Sequence, residues 1–238
     1  MFPSDPKRLT PSIALAALLL AACGGQVDAQ PRVRADATPV LATLANGAGQ
    51  ATDRLRSGDL AGARALFESA LGKDPDRLTA LNDLAVSYYL EGRFEAARQL
   101  LDEVVARGGS REQQAALLNL GELYALEGYA SAAQAHFETA RDIDPTHPGP
   151  FYALALLADS RGEPSVALAN VREALRLDAS GAGRTVLAFV YPEERAHLEA
   201  LVGEALGDRD LAAARWRDLR SGRFPALAAA GQRHLEEP

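Results

Sequence analysis

Apolar and small residues recur at fixed offsets from a set of glycines in the middle of this chain. Gly58, Gly92, Gly128 and Gly162 are each followed five residues later by an alanine: Ala63, Ala97, Ala133 and Ala167. Four residues beyond each alanine stands an apolar residue (Phe67, Leu101, Phe137, Val171), and three further a small or β-branched one (Ala70, Val104, Ala140, Ala174). Such offsets put all three side chains on one face of a helix that begins just after the glycine. Ahead of the second glycine, Leu81, Leu84, Ala85 and Tyr88 share a face of another helix at i, i+3, i+4, i+7 spacing. The third copy offers Leu117, Leu120, Gly121 and Tyr124, and the fourth Phe151, Leu154, Ala155 and Ala158. The pattern predicts antiparallel helix pairs with glycine in the turn, where a left-handed backbone past the helix end carries no Cβ penalty. In the first copy the leading helix has Gly47, Gln50 and Arg54 at core positions, so a short or irregular start is expected.

The glycines lie 34, 36 and 34 residues apart. A fixed period of that length marks stacked helix-turn-helix units. Over residues 44–179 the pattern resembles the tetratricopeptide repeat family, with Pro75 and Pro145 closing two of the units. The resemblance implies an all-α fold, a right-handed superhelical array of antiparallel helix pairs. Its concave face would be lined by first helices and would receive peptides or partner helices. In that register Thr79, Asn82, Val86 and Tyr89 point into the groove, followed by Leu118 and Glu122, then Tyr152, Leu156 and Asp159. Interface energy concentrates in buried aromatics, which makes Tyr89 and Tyr152 the candidate anchors. Packing between neighbouring first helices is the other role open to them.

After the fourth copy the period breaks. Residues 180–195 are an insertion whose stretch from Thr185 to Tyr191 is the most apolar beyond the N-terminal segment. It is expected either to plug against its neighbours or to be an exposed docking patch. Residues 196–238 are expected to form a divergent fifth unit and a C-terminal capping helix. Leu198, Leu201, Val202 and Ala205 suggest its first helix, and Leu211 with Ala214 its second. In that register Asp218 and Ser221 occupy the usual apolar and small positions, a departure suited to a terminal unit with one face in water. Phe224 to Leu235 would be a last amphipathic helix.

The N-terminal segment has its own logic. Lys7 and Arg8 precede an unbroken apolar run from Ile13 to Ala22, ten residues long and too short for a bilayer span of roughly 20 residues. Leu20-Ala21-Ala22-Cys23 resembles the lipobox of bacterial lipoproteins, and the resemblance implies cleavage before Cys23 and acylation of that residue. An ordinary secretory signal cut near Ala22 is the alternative. The expected organisation is a signal peptide over 1–22 and a lipidated cysteine with a flexible tether over 23–43. Cys23 is the single cysteine, so its use for lipid leaves none for disulfide, zinc or nucleophilic chemistry.

Composition narrows the function classes. Without residues 1–22 the chain keeps 23 basic and 31 acidic side chains, a net charge of −8. That balance disfavours nucleic acid and anionic lipid heads as partners. The histidines, His136, His147, His197 and His234, are dispersed in sequence, and no His-Glu-x-x-His pair, phosphate loop or Gly-x-Ser-x-Gly elbow is present. No catalytic residues, metal or cofactor are expected beyond the covalent lipid. The expected role is a non-enzymatic scaffold anchored in the bacterial envelope, at the outer membrane facing the periplasm, with envelope proteins as partners. Gly108-Gly109-Ser110-Arg111-Glu112 and Gly207-Asp208-Arg209-Asp210-Leu211-Ala212-Ala213 resemble the layout of type IV pilus secretin pilotins. A docking scaffold for peptidoglycan hydrolases or synthases is the alternative role.

Overall fold

The computed structural model describes residues 35–37, 42–44, 49–179, 187–188 and 191–236. Cys23, the signal peptide and most of the expected tether lie outside these residues. Eleven helices are described: α1 (Gln50–Arg56), α2 (Leu60–Lys73), α3 (Leu78–Leu90), α4 (Phe94–Arg107), α5 (Ser110–Leu126), α6 (Ala130–Ile143), α7 (Gly149–Ser160), α8 (Pro164–Leu177), α9 (Pro192–Leu206), α10 (Arg209–Arg220) and α11 (Pro225–Glu236). They pack in consecutive pairs, and each second helix also packs on the first helix of the next pair. The one strand pair described joins β1 (Ala42–Thr43) to β2 (Leu187–Ala188), antiparallel, with Ala42 opposite Ala188. The fold is an array of antiparallel helix pairs stacked side by side. As expected, its first helix is short.

The repeated turn has one geometry. Gly58, Gly92, Gly128, Gly162 and Gly207 all have φ between +76° and +82°. In the second unit Gly92 N–H donates to Tyr89 O and Arg93 N–H to Tyr88 O, both at 2.9 Å, which satisfies carbonyls left over at the end of α3. Behind the turn the helices meet through small residues: Ala85, Ala97, Ala133, Ala155 and Ala167 are fully buried. Helix proximity and side-chain size are matched. In the third unit, where Phe137 stands on α6, the facing position on α5 is Gly121, and a Cβ there would fall 2.2 Å from the Phe137 ring. The second unit has Ala85 and Leu101 at the same places, and the fourth Ala155 and Val171.

A polar ladder ties the first four units together. Arg64 on α2 donates to Glu91 in the next turn at 3.0 Å, Arg98 on α4 donates to Glu127, and Arg161 donates back to Gln134 at 2.7 Å. These are equivalent positions, one rung per junction.

The fifth unit keeps the glycine pattern more closely than its sequence suggested. Counted from Gly207, the buried positions of α10 are Ala212, Trp216 and Leu219, each at most 4% exposed. The expected register through Ala214, Asp218 and Ser221 is displaced by two residues. Asp218 and Ser221 are exposed. The correct register puts Trp216 at the Phe67 and Phe137 position, and Asp208, like Asp59, accepts a hydrogen bond from the backbone of its helix's first turn. Space opposite α10 comes from Gly203 on α9, where a Cβ would fall 3.1 Å from the Ala212 nitrogen. The last helix forms at Pro225–Glu236, close to the predicted span.

Candidate functional site: the concave face

The second helices are amphipathic, but α3, α5 and α7 are not. From Leu81 to Tyr89, from Gln114 to Leu123 and from Tyr152 to Asp159 every residue is buried. A helix buried on all sides has neighbours on all sides. Of the predicted groove residues, Asn82, Val86, Tyr89, Leu118, Glu122, Tyr152, Leu156 and Asp159 are at most 2% exposed, and Thr79 alone is partly open. The structure thus places them together along adjacent first helices, but under cover. The expectation of an open groove is corrected accordingly: the chain itself fills it.

Two parts of the chain supply the cover. Ala37 and Leu44, within and just beyond the expected tether, are 1% and 2% exposed, and β1 lies against α5. In the insertion, Leu187 and Ala188 pair with β1 rather than standing alone. From the end of the insertion α9 packs on α8 and α7, and α11 also reaches α7. At its start Tyr191 N–H is capped by the Glu194 carboxylate at 3.2 Å, with Pro192 in the first turn.

Several predicted groove residues make structural contacts within the chain. Asn119 on α5 donates to Asn82 Oδ1 on α3 at 2.9 Å, and Asn82 donates to Asp83 at 3.1 Å, stitching neighbouring first helices. Tyr152 donates its hydroxyl to Asp178 Oδ2 at 3.3 Å, past the end of α8, so this tyrosine packs between helices. Tyr89 is enclosed; burial raises its phenol well above the ordinary range, and the nearby Glu122, Glu194 and Tyr191 push in the same direction. Tyr191 is raised by burial and by the same two glutamates. Residues of α3, α5 and α9 therefore share one enclosed acidic region.

The main polar junction is at Asp159, near the end of α7. Its Oδ2 lies 2.7 Å from His197 Nε2 on α9, and its Oδ1 lies 2.6 Å from His234 Nε2 on α11. Arg233 donates to the Asp159 backbone oxygen at 2.7 Å. His234 Nδ1 in turn meets Glu204 at 2.8 Å, and Trp216 Nε1–H donates to the same Glu204 oxygen at 2.7 Å. The His234 ring stacks on Trp216 with centroids 4.0 Å apart and planes 7° apart. Burial alone would push the Asp159 carboxyl up, but the hydrogen bonds from His197 and His234 outweigh it and hold the group well below the usual carboxylate range. Burial likewise opposes charge on His234, yet its bonds to Asp159 and Glu204 raise it to about 9.

Two histidines that are 37 residues apart in sequence thus converge on one carboxylate. In the sequence they stand far apart, and the repeat register places Asp159 in the groove. The signal available was the apolar run of α7, Phe-Tyr-Ala-Leu-Ala-Leu-Leu-Ala, which has no solvent face and so announces a covering element. The other histidines serve locally. His136 stacks on Tyr124 with centroids 5.1 Å apart, and His147 Nδ1 accepts from Gly149 N–H at 3.1 Å in the turn before α7. Among the described residues no group of three or more His, Cys, Asp or Glu is arranged to hold a metal ion, and no helix is long and apolar enough to cross a membrane.

Family-model matches agree with the repeat pattern in the middle of the chain. Two family models described as tetratricopeptide repeat match the chain, one over residues 54–121 and the other over residues 115–147. No curated protein matches. Among solved structures, the crystal structure of MamA aligns at 17% identity and a TM-score of 0.43, covering 79% of this chain and 98% of the other. Residues 54–147, at the centre of the helical array, thus match tetratricopeptide-repeat models, whose repeats are typical of protein–protein interaction scaffolds.

Proposed function

We propose that this protein is a lipid-anchored adaptor of the bacterial envelope, tethered through Cys23 at the outer membrane and facing the periplasm. The repeat array would act as receptor for another envelope protein. The observation that carries the receptor half is the run of matched repeats with one turn geometry at five glycines. The anchor half rests on the apolar run Ile13–Ala22 leading into Leu20-Ala21-Ala22-Cys23. Several acyl chains on one residue satisfy the requirement for more than one membrane signal without a transmembrane helix. An assembly role like that of pilus secretin pilotins accords with a small repeat protein held at the outer membrane.

A deletion strain tests the assignment. Loss of the gene should reduce heat-stable secretin multimers, and the detergent-solubilised full chain should recover a pore subunit from membranes. Normal multimers in the deletion strain would exclude the pilotin role. Recovery of peptidoglycan hydrolases or synthases instead would assign the adaptor to wall growth.

A further inference from the structure

The concave face is occupied, and its occupant is built differently from the units beneath it. Units one to four are joined by the rungs Arg64–Glu91, Arg98–Glu127 and Arg161–Gln134. At the next junction Leu168 stands where Arg64, Arg98 and Gln134 stand, and Leu206 where Glu91, Glu127 and Arg161 stand. Neither leucine side chain can donate or accept, and Leu206 is 68% exposed, so these positions form no polar rung. The link from α8 to α9 is the insertion, which frees the fifth unit from the fixed spacing of the others. Alongside buried apolar side chains of α9 and α11, a polar junction ties this unit to α7: His197, His234 and Arg233 converge on Asp159, with Glu204 and Trp216 steadying His234.

Taking the array as a receptor, as above, we propose that α9 and α11 are an intramolecular ligand of the concave face, latched at Asp159, and that a helical partner segment offering a cation to Asp159 displaces them. The chemistry of the competitor follows from that of the resident. A segment that replaces α11 must return a cationic donor to the buried carboxylate, because an uncompensated buried charge is costly. It must also carry an apolar face to cover Tyr152, Leu156 and their neighbours.

The chain's own last helix is the probe. Arg233→Ala with His234→Ala, made in the full chain, weakens the resident α11 while leaving Asp159 in place. A fluorescent synthetic peptide of residues 223–236 should bind this variant about tenfold more tightly than it binds the parent chain, the factor expected from loss of charged hydrogen bonds. Adding Asp159→Asn should remove the gain. Hydrogen exchange should quicken in α9 and α11 of the double variant and stay slow in α2–α6. No gain in peptide capture, or fast exchange spreading through α2–α6, overturns the proposal. Both readouts use only this chain, so they stand or fall apart from the secretin assay above.

Discussion

The contact between Gly121 and Phe137 gives the sharpest test of how the helix pairs nest. In Gly121→Ala the new Cβ would lie 2.2, 2.6 and 2.8 Å from Cε1, Cδ1 and Cζ of the Phe137 ring. Ordinary carbon contacts lie near 3.5–4.0 Å, so the ring or the helix must retreat by about 1 Å. Phe137 is fully buried and has nowhere free to go. Alanine gains about 1 kcal/mol of helix propensity over glycine, whereas overpacking costs about 1–3 kcal/mol, so the net effect is a loss of up to about 2 kcal/mol. Phe137→Leu alone leaves a cavity and costs about 1–2 kcal/mol. Together the two changes recreate the Ala–Leu pairing of Ala85 and Leu101 in the second unit, and the double variant should lie within about 1 kcal/mol of the parent. The cycle therefore predicts a favourable coupling of about 2 kcal/mol, read from urea unfolding followed by far-ultraviolet circular dichroism. Additive losses would refute the size-matching argument.

Other outcomes follow from the junction, the enclosed tyrosine and the anchor. His234 is raised from 6.5 to about 9 in the folded chain, so its contribution is fully present below pH 6.5 and is lost as pH rises through 9, worth at most about 3 kcal/mol. Melting temperature should fall across that window, and Asp159→Asn should flatten the fall. Asp159 has the opposite sign: its carboxyl is lowered from 3.8, so its contribution is present above pH 3.8 and fades in stronger acid. Tyr89→Ala removes a ring that is 1% exposed and should cost about 3 kcal/mol, lowering the melting temperature by about 6–12 °C; an unchanged melting temperature would put Tyr89 back on an open surface. Cys23→Ser should move the protein from the membrane to the soluble fraction with an unaltered melting curve, and continued membrane retention would remove the lipid anchor.

The array was legible because its rules are local. A turn glycine, an alanine five residues on and an apolar residue four beyond that are set by contacts within one helix pair, and the same spacing recurs at Gly58, Gly92, Gly128 and Gly162. The fifth unit obeyed the same rule from Gly207, but Leu211 and Ala214 suggested a competing register, and only burial of Ala212 and Trp216 separates the two. The fate of the concave face was less accessible. It depends on where α9 and α11 land, which is a long-range matter no offset encodes. His197, His234 and Asp159 acquire their meaning from three different helices meeting at one point. Even so, the all-round apolar character of α7 was present in the letters, and it is incompatible with a first helix that has one face in water.

The central claim is that this chain covers its own concave face. Hydroxyl-radical footprinting of the full-length protein measures it side chain by side chain, with Tyr129, 50% exposed in a turn, as the internal standard. The account predicts ready modification of Tyr129 and strong protection of Tyr89 and Tyr152. Modification of Tyr89 and Tyr152 at rates comparable to Tyr129 would contradict it.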